Sequence, residues 1–237
     1  MIYLKDANII FLKARKVAGT SFEIALSKFA NQDDIITPVT PNDEKARSEL
    51  GFPGAQNYLK PIAEFDAADV YRTVRYRSYP KKFNNHLSAL EARKRLGPEV
   101  FDNAYKIAIV RNPYDTLVSS YFFAMNSSEH KISFTDWIKE NPHVLNRNSH
   151  QYEINGKNII DYFIRFENII DDTEELEAKK ESLRGLSVLV SSIRTKDGIR
   201  PKKNTTPAEV FNNDADLISA VRFFNKDIID RFDYSLD

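Results

Sequence analysis

Two short segments carry residue types suited to holding an anion. The first, RKVAGTS at 15–21, places two cations, small residues and two hydroxyls within one turn-sized stretch. Small residues let the backbone approach an anion, and the N–H groups of a helix start point outward with the positive end of its dipole. Lys16 adds a mobile charge, and Thr20 and Ser21 add donors. The spacing G-x-x-x-x-G-K-[ST] is absent, so this is not a Walker A loop. The second constellation is Arg111 with Ser119 and Ser120 about two helical turns on. A guanidinium offers phosphate a planar fork, and a serine hydroxyl completes the coordination. Each pattern alone also has a plainer reading: a Lys–Thr turn, and an Arg111–Asp115 pair beside solvated serines.

The elements around these residues are those of an α/β protein. NIIFLK at 8–13 is a β-type run, and 20–30 switches to helical spacing through Phe22, Ala25, Leu26 and Phe29. YKIAIV at 105–110 predicts a buried strand. Asn112-Pro113-Tyr114-Asp115 then supplies an N-cap, a proline at the first helical position and an acid in the first turn, for a helix running to about Met125. Ser88 and Glu91 suggest a capping box, with Gly97-Pro98 as the stop. A third strand is expected over 161–166, a charged helix over 174–184, and a helix start at Thr206-Pro207 with helical segments reaching about Arg231. Residues 31–83, with five prolines, read as a loop-rich insertion within a single domain spanning 1–237. Strand–helix alternation predicts a three-layer fold, its central sheet mainly parallel and flanked by helices. Ligands in such folds gather at the carboxyl ends of the strands.

Composition narrows the classes. Lys+Arg and Asp+Glu both total 34, so an anion site has to come from local clustering, and no general affinity for nucleic acid or membrane is expected. The chain has no cysteine, which excludes a disulfide framework, a cysteine metal site and a thiol nucleophile. No cluster has metal-ligand spacing, and no metal is expected. With no apolar run long enough for a span or leader, a soluble, cytoplasmic protein is expected.

Taken together, the two anion segments resemble the sulfotransferases that use 3′-phosphoadenosine 5′-phosphosulfate (PAPS). Their 5′-phosphosulfate loop usually reads P-K-T-G-G-T-S, against RKVAGTS at 15–21. Their 3′-phosphate motif reads V-R-N-P-x-D-R-x-V-S-x-Y, against VRNPYDTLVSSY at 110–121. The order and the strand–helix placement agree as well, and the resemblance implies a P-loop-like fold. Carried over by position, Lys16 holds the phosphosulfate with Arg15, Ala18, Gly19, Thr20 and Ser21, while Arg111 and Ser119 hold the 3′-phosphate. Arg15, Val17 and Ala18 depart from the usual Pro, Thr and Gly, which puts the loop geometry in question.

Two further stretches extend the resemblance. Asn85-His86-Leu87-Ser88 is similar to the H-[VIL]-[ST] segment of carbohydrate (type 2) sulfotransferases, in some of which this histidine is the catalytic base. A histidine near a helix start is biased toward its neutral form, as a base requires. The basic loop at 200–206, with Lys202, Lys203 and Thr205, is similar to one that closes over the nucleotide. The resemblance therefore implies transfer of a sulfuryl group from PAPS to an acceptor hydroxyl, a saccharide first, with PAP as product. Lys16 stabilises charge and His86 takes the proton. The rivals are a P-loop-type kinase, disfavoured by the missing Walker A spacing, and an inactive nucleotide- or glycan-binding module. Tyr121, Phe122, Phe123 and Trp137 are candidates to shape the acceptor site, although such aromatics also suit a core. His130, His143 and His150 read as surface residues, and 164–167 (IRFE) as structural.

Overall fold

The computed structural model describes residues 1–193 and 205–236. The apolar runs build the sheet. Strand β1 (Ile2–Leu4) and β2 (Ile9–Phe11) are buried along their whole length and pair antiparallel, with Ile2 opposite Phe11. From β2 the chain passes through residues 12–18 into helix α1 (Gly19–Ser27). Strand β3 (Ile35–Ile36) returns antiparallel to β1. Helices α2 (Pro41–Glu49), α3 (Ala67–Tyr76), α4 (Ala89–Leu96) and α5 (Pro98–Asn103) precede β4 (Tyr105–Val110). Helices α6 (Pro113–Asn126), α7 (Phe134–Glu140) and α8 (Ser149–Tyr152) follow. A small hairpin of β5 (Glu153–Ile154) and β6 (Lys157–Asn158) leads to β7 (Tyr162–Arg165). The remaining elements are α9 (Ile169–Lys179), α10 (Leu186–Ser192), α11 (Pro207–Phe211), α12 (Ala215–Phe224) and α13 (Lys226–Phe232).

The sheet order is β3-β1-β2-β4-β7. β4 lies parallel to both β2 and β7, with Phe11 opposite Ile107 and Ile107 opposite Tyr162. Every strand except β1 therefore runs in one direction, and helices flank the sheet, as expected for the mainly parallel three-layer fold. The apolar run of β4 is buried because strands of such a sheet are covered on both faces. Phe11 and Phe22 meet across the strand–helix layer with ring centroids 5.0 Å apart. A second core joins α6, α7, α11 and α12 through Tyr114, Phe134, Trp137, Phe211 and Val221.

Several expectations need correction. Residues 31–83 are not a loop-rich insertion throughout: β3 extends the main sheet, and two capped helices follow. Thr40 caps α2, with Pro41 at the first helical position, and Asp66 and Asp69 form a capping box on α3. Pro41 begins α2 rather than breaking it, while α3 starts from its Asp66 cap without a proline. The helix expected over 174–184 begins five residues earlier, at Ile169, with Asp171 and Asp172 in its first turn. Ser88 accepts from the Glu91 N–H, but the Glu91 carboxylate turns to Arg95, so only half of that capping box forms. Gly97, at φ 96°, ends α4 and at once starts α5. At the helix start expected at Thr206-Pro207, Thr206 and Glu209 form a full capping box.

Candidate active site

At the carboxyl ends of β2, β4 and β7 the structure holds a cavity of about 420 Å³. Its floor is the segment joining β2 to α1. Leu12 N–H still pairs with the Ile107 carbonyl, after which the chain leaves the sheet. Lys16 and Ala18 then adopt left-handed conformations, with φ 64° and 57°. Such φ values are costly for a residue with a Cβ, so other contacts must hold them. Asn148 clamps the Arg15 peptide on both sides, its Oδ1 accepting from the N–H at 2.9 Å and its Nδ2 donating to the carbonyl at 3.0 Å. Arg111 Nη1 donates to the Lys16 carbonyl at 3.0 Å. Ala18 then opens α1 with no side-chain cap and no acidic residue in the first turn. An uncapped helix start facing a cavity is a natural anion seat.

Gly19 packs tightly against Lys13. A Cβ there would lie 3.0 Å from Cγ of Lys13. Lys13 is buried and pairs with the buried Glu23 at 2.7 Å. Desolvation pushes the Glu23 carboxyl up, but the neighbouring cations prevail and hold it at about 2. Lys13 thus enters the cavity wall with its charge already met. Arg15, Lys16, Arg111 and Arg147 line the same cavity, with Asp43 the one carboxylate among the lining residues. The wall is cationic, which suits a polyanionic ligand.

Arg111 forms the Asp115 pair of the plainer reading and also lines the cavity. It pairs with Asp115 through Nε at 2.6 Å and Nη2 at 2.5 Å, its Nη1 reaches the Lys16 carbonyl, and Phe166 stacks 4.1 Å from the guanidinium carbon. Three of the five guanidinium donors are thereby engaged, and two remain for a ligand. Ser119, on α6, lines the cavity beside it.

His86 approaches from the segment before α4. Its Nδ1 lies 3.1 Å from the Lys13 carbonyl, and Gln151 Nε2 donates to the His86 carbonyl at 3.3 Å. A carbonyl can only accept, so Nδ1 carries the hydrogen and Nε2 is left as the basic nitrogen. Burial, reinforced by the charges of Arg15 and Lys13, pulls the imidazole down to about 4. The neutral form was expected, but its main cause is desolvation rather than the helix start.

Arg15, Lys16, Ala18, Gly19, Thr20, His86, Arg111 and Ser119 all line this one cavity. Ser21 does not; its position on α1 buries it. Thr205 lies just before the α11 cap and outside the cavity lining, and Lys202 and Lys203 fall outside the described residues. Tyr121 and Trp137 belong to the second core, their rings 5.8 Å apart, whereas Phe123 is exposed at the cavity with Lys16 Nζ 4.1 Å from its ring. His130, His143 and His150 are exposed, as expected. Sequence reading missed Arg147, Asn148, Thr40 and Asp43, and took Phe166 as structural only. The polar run NRNS at 146–149 gives no periodic or motif signal, so only the fold reveals that it meets the loop after β2. Among the described residues no group of His, Asp or Glu is arranged to hold a metal ion, and no helix is long and apolar enough to cross a membrane.

No curated protein and no solved structure matches the chain. A family model described as the sulfotransferase family matches residues 1–189, a span that contains β1 to β7, the loop after β2, His86 and the α6 motif. With four-fifths of its length so matched, the chain belongs to the sulfotransferase family, whose general chemistry is sulfuryl transfer.

Proposed function

We propose that this chain transfers a sulfuryl group from PAPS to an acceptor hydroxyl, a saccharide being the favoured class. One observation carries the reading: the Arg111–Lys16 bond joins two anion seats on the same cavity that His86 enters with Nε2 basic. The residues fit the donor. The uncapped start of α1 and Lys16 suit the phosphosulfate, and the two remaining Arg111 donors with Ser119 suit the 3′-phosphate.

In-line displacement needs positioning and charge stabilisation more than covalent help from the protein. His86 Nε2 takes the acceptor hydroxyl proton as that oxygen bonds to sulfur. The bond between sulfur and the bridging phosphate oxygen breaks, and PAP leaves carrying the electron pair. Lys16 and the N–H groups of the α1 start meet the charge that develops there. Arg111 and Ser119 grip the remote end and convert binding energy into alignment.

The test is a thermal-shift comparison of PAP with ATP–Mg²⁺, followed by radiolabelled PAPS turnover on a panel of hydroxyl acceptors that includes saccharides. PAP should raise Tm without added metal, because a ligand selective for the native state stabilises it by mass action. A shift with ATP–Mg²⁺ and none with PAP would instead support a kinase. PAP binding without transfer to any acceptor would point to an inactive binding module.

A further inference from the structure

Helix α3 is amphipathic, and among the described residues its apolar face is left exposed. Ala67, Val70, Tyr71 and Val74 recur at the three- and four-residue spacing that puts side chains on one face. In a helix packed into a fold that face is covered, yet here Val70, Tyr71 and Val74 are 51%, 61% and 78% exposed. Of the ten residues only Asp69 is buried, through its bond to Lys60 and its half of the capping box. Ile62, 73% exposed, extends the apolar surface before the helix, and Tyr76 and Tyr79 extend it at the end. The Tyr71 and Tyr76 rings meet edge-on at 6.2 Å. A helix this short is marginal in water on its own, and an exposed apolar patch of this kind marks an interaction surface.

Charge identifies the partner. The acids of residues 59–82 are met by two lysines, Lys60 with Asp66 and Asp69, and Lys82 with Glu64. Among the described residues the other cations of the segment, Arg72, Arg75, Arg77 and Lys81, form no ion pair, although Arg72 lies near enough to Asp69 to act on it, and Arg75 stacks on Tyr76. Arg72 and Lys81 line the groove beside Asp69, but a second copy docked face to face would set Arg75 and Arg77, at the flank of the apolar stripe, against their equivalents. A soluble acidic polymer would meet the cations and leave the valines and Ile62 in water. An anionic bilayer surface answers both features. Valine and isoleucine enter the interface, tyrosines sit at headgroup depth, and Arg75 and Arg77 meet headgroup phosphates.

We propose that α3 and its flanks form a docking surface for an anionic lipid membrane. The charge balance of the whole chain conceals this, because the compensating acids lie elsewhere in the sequence. The inference stands apart from the sulfuryl-transfer reading and uses none of its residues.

The test is flotation of the full chain with vesicles of phosphatidylcholine, with and without phosphatidylglycerol, at low and high salt. The protein should float only with the anionic vesicles, and less at high salt. Val74→Asp and the double variant Arg75→Gln/Arg77→Gln should each weaken the association about tenfold or more. Both alter exposed side chains, so thermal unfolding should match the wild type. No flotation with anionic vesicles overturns the proposal. So does flotation indifferent to Val74→Asp, or a Val74-dependent dimer in light scattering, which would name a second copy as the occupant. Binding to a soluble acidic polysaccharide with no vesicle association would also overturn it.

Discussion

Replacing His86 by asparagine separates its chemistry from its structural bond, because the asparagine Nδ2 can donate to the Lys13 carbonyl where the imidazole Nδ1–H did. The buried imidazole is held neutral, its value lowered from 6.5 to about 4. In the unfolded chain it protonates in the ordinary range. Between those values the unfolded state binds more protons than the native one, so stability rises with pH there. The imidazole's contribution is complete above about pH 6.5 and is lost as pH falls toward about 4, roughly 3 kcal/mol in all and about 2 kcal/mol by pH 5. Urea unfolding at about pH 7 and about pH 5 should therefore show the wild type losing about 2 kcal/mol more than His86→Asn. The difference between the two proteins cancels the carboxylates that titrate in both. In turnover, the wild-type acid limb should fall near pH 4 rather than at the ordinary imidazole value. His86→Asn should lose roughly 10²–10⁴-fold in kcat with PAP affinity nearly unchanged. Superimposable pH–stability profiles, or an acid limb near pH 6.5, would refute the burial argument. A folded variant keeping more than about a third of wild-type turnover, in an assay limited by chemistry, would remove His86 as the base.

Other outcomes follow from the loop and its neighbours. Arg111→Ala should weaken PAP by on the order of 2–4 kcal/mol while leaving adenosine 5′-phosphosulfate, which lacks the 3′-phosphate, almost unaffected; equal losses would make Arg111 structural. Ala18→Gly relieves a left-handed φ and should raise stability by about 0.5–1 kcal/mol in denaturant titration. Gly19→Ala should cost about 1–3 kcal/mol, because the new Cβ crowds a Lys13 side chain that its buried ion pair holds in place. Lys16→Ala should impair both donor binding and turnover, in contrast to His86→Asn.

What the sequence revealed depended on how local each cause was. The strand over 105–110 and the helix after Asn112 were legible because burial, N-cap and proline act within a few residues. Ala18 is left-handed where the resembling motif carries glycine, a departure that had put only the loop geometry in question. Strand β1 was not legible: three apolar residues carry no periodic signal, and only pairing with β2 and β3 makes them a strand. Likewise Asn148 and Arg147 reach the site across more than a hundred residues of chain, and nothing in their local sequence points there. Pro41 misled the reading of 31–83, since a proline breaks a helix in its interior but starts one at the first turn.

The bond from Arg111 to the Lys16 carbonyl has a consequence for ligand choice. It staples the β2 exit to the β4 exit and so holds the two proposed anion seats at one spacing, which would act as a ruler. A ligand with an anionic group at each end binds as a chelate, its second contact made at the high effective concentration set by the first. Free sulfate or phosphate gains no such advantage at either seat. A nucleotide whose two charged ends are too near or too far apart must leave one seat empty, and the staple turns that mismatch in length into a loss of affinity.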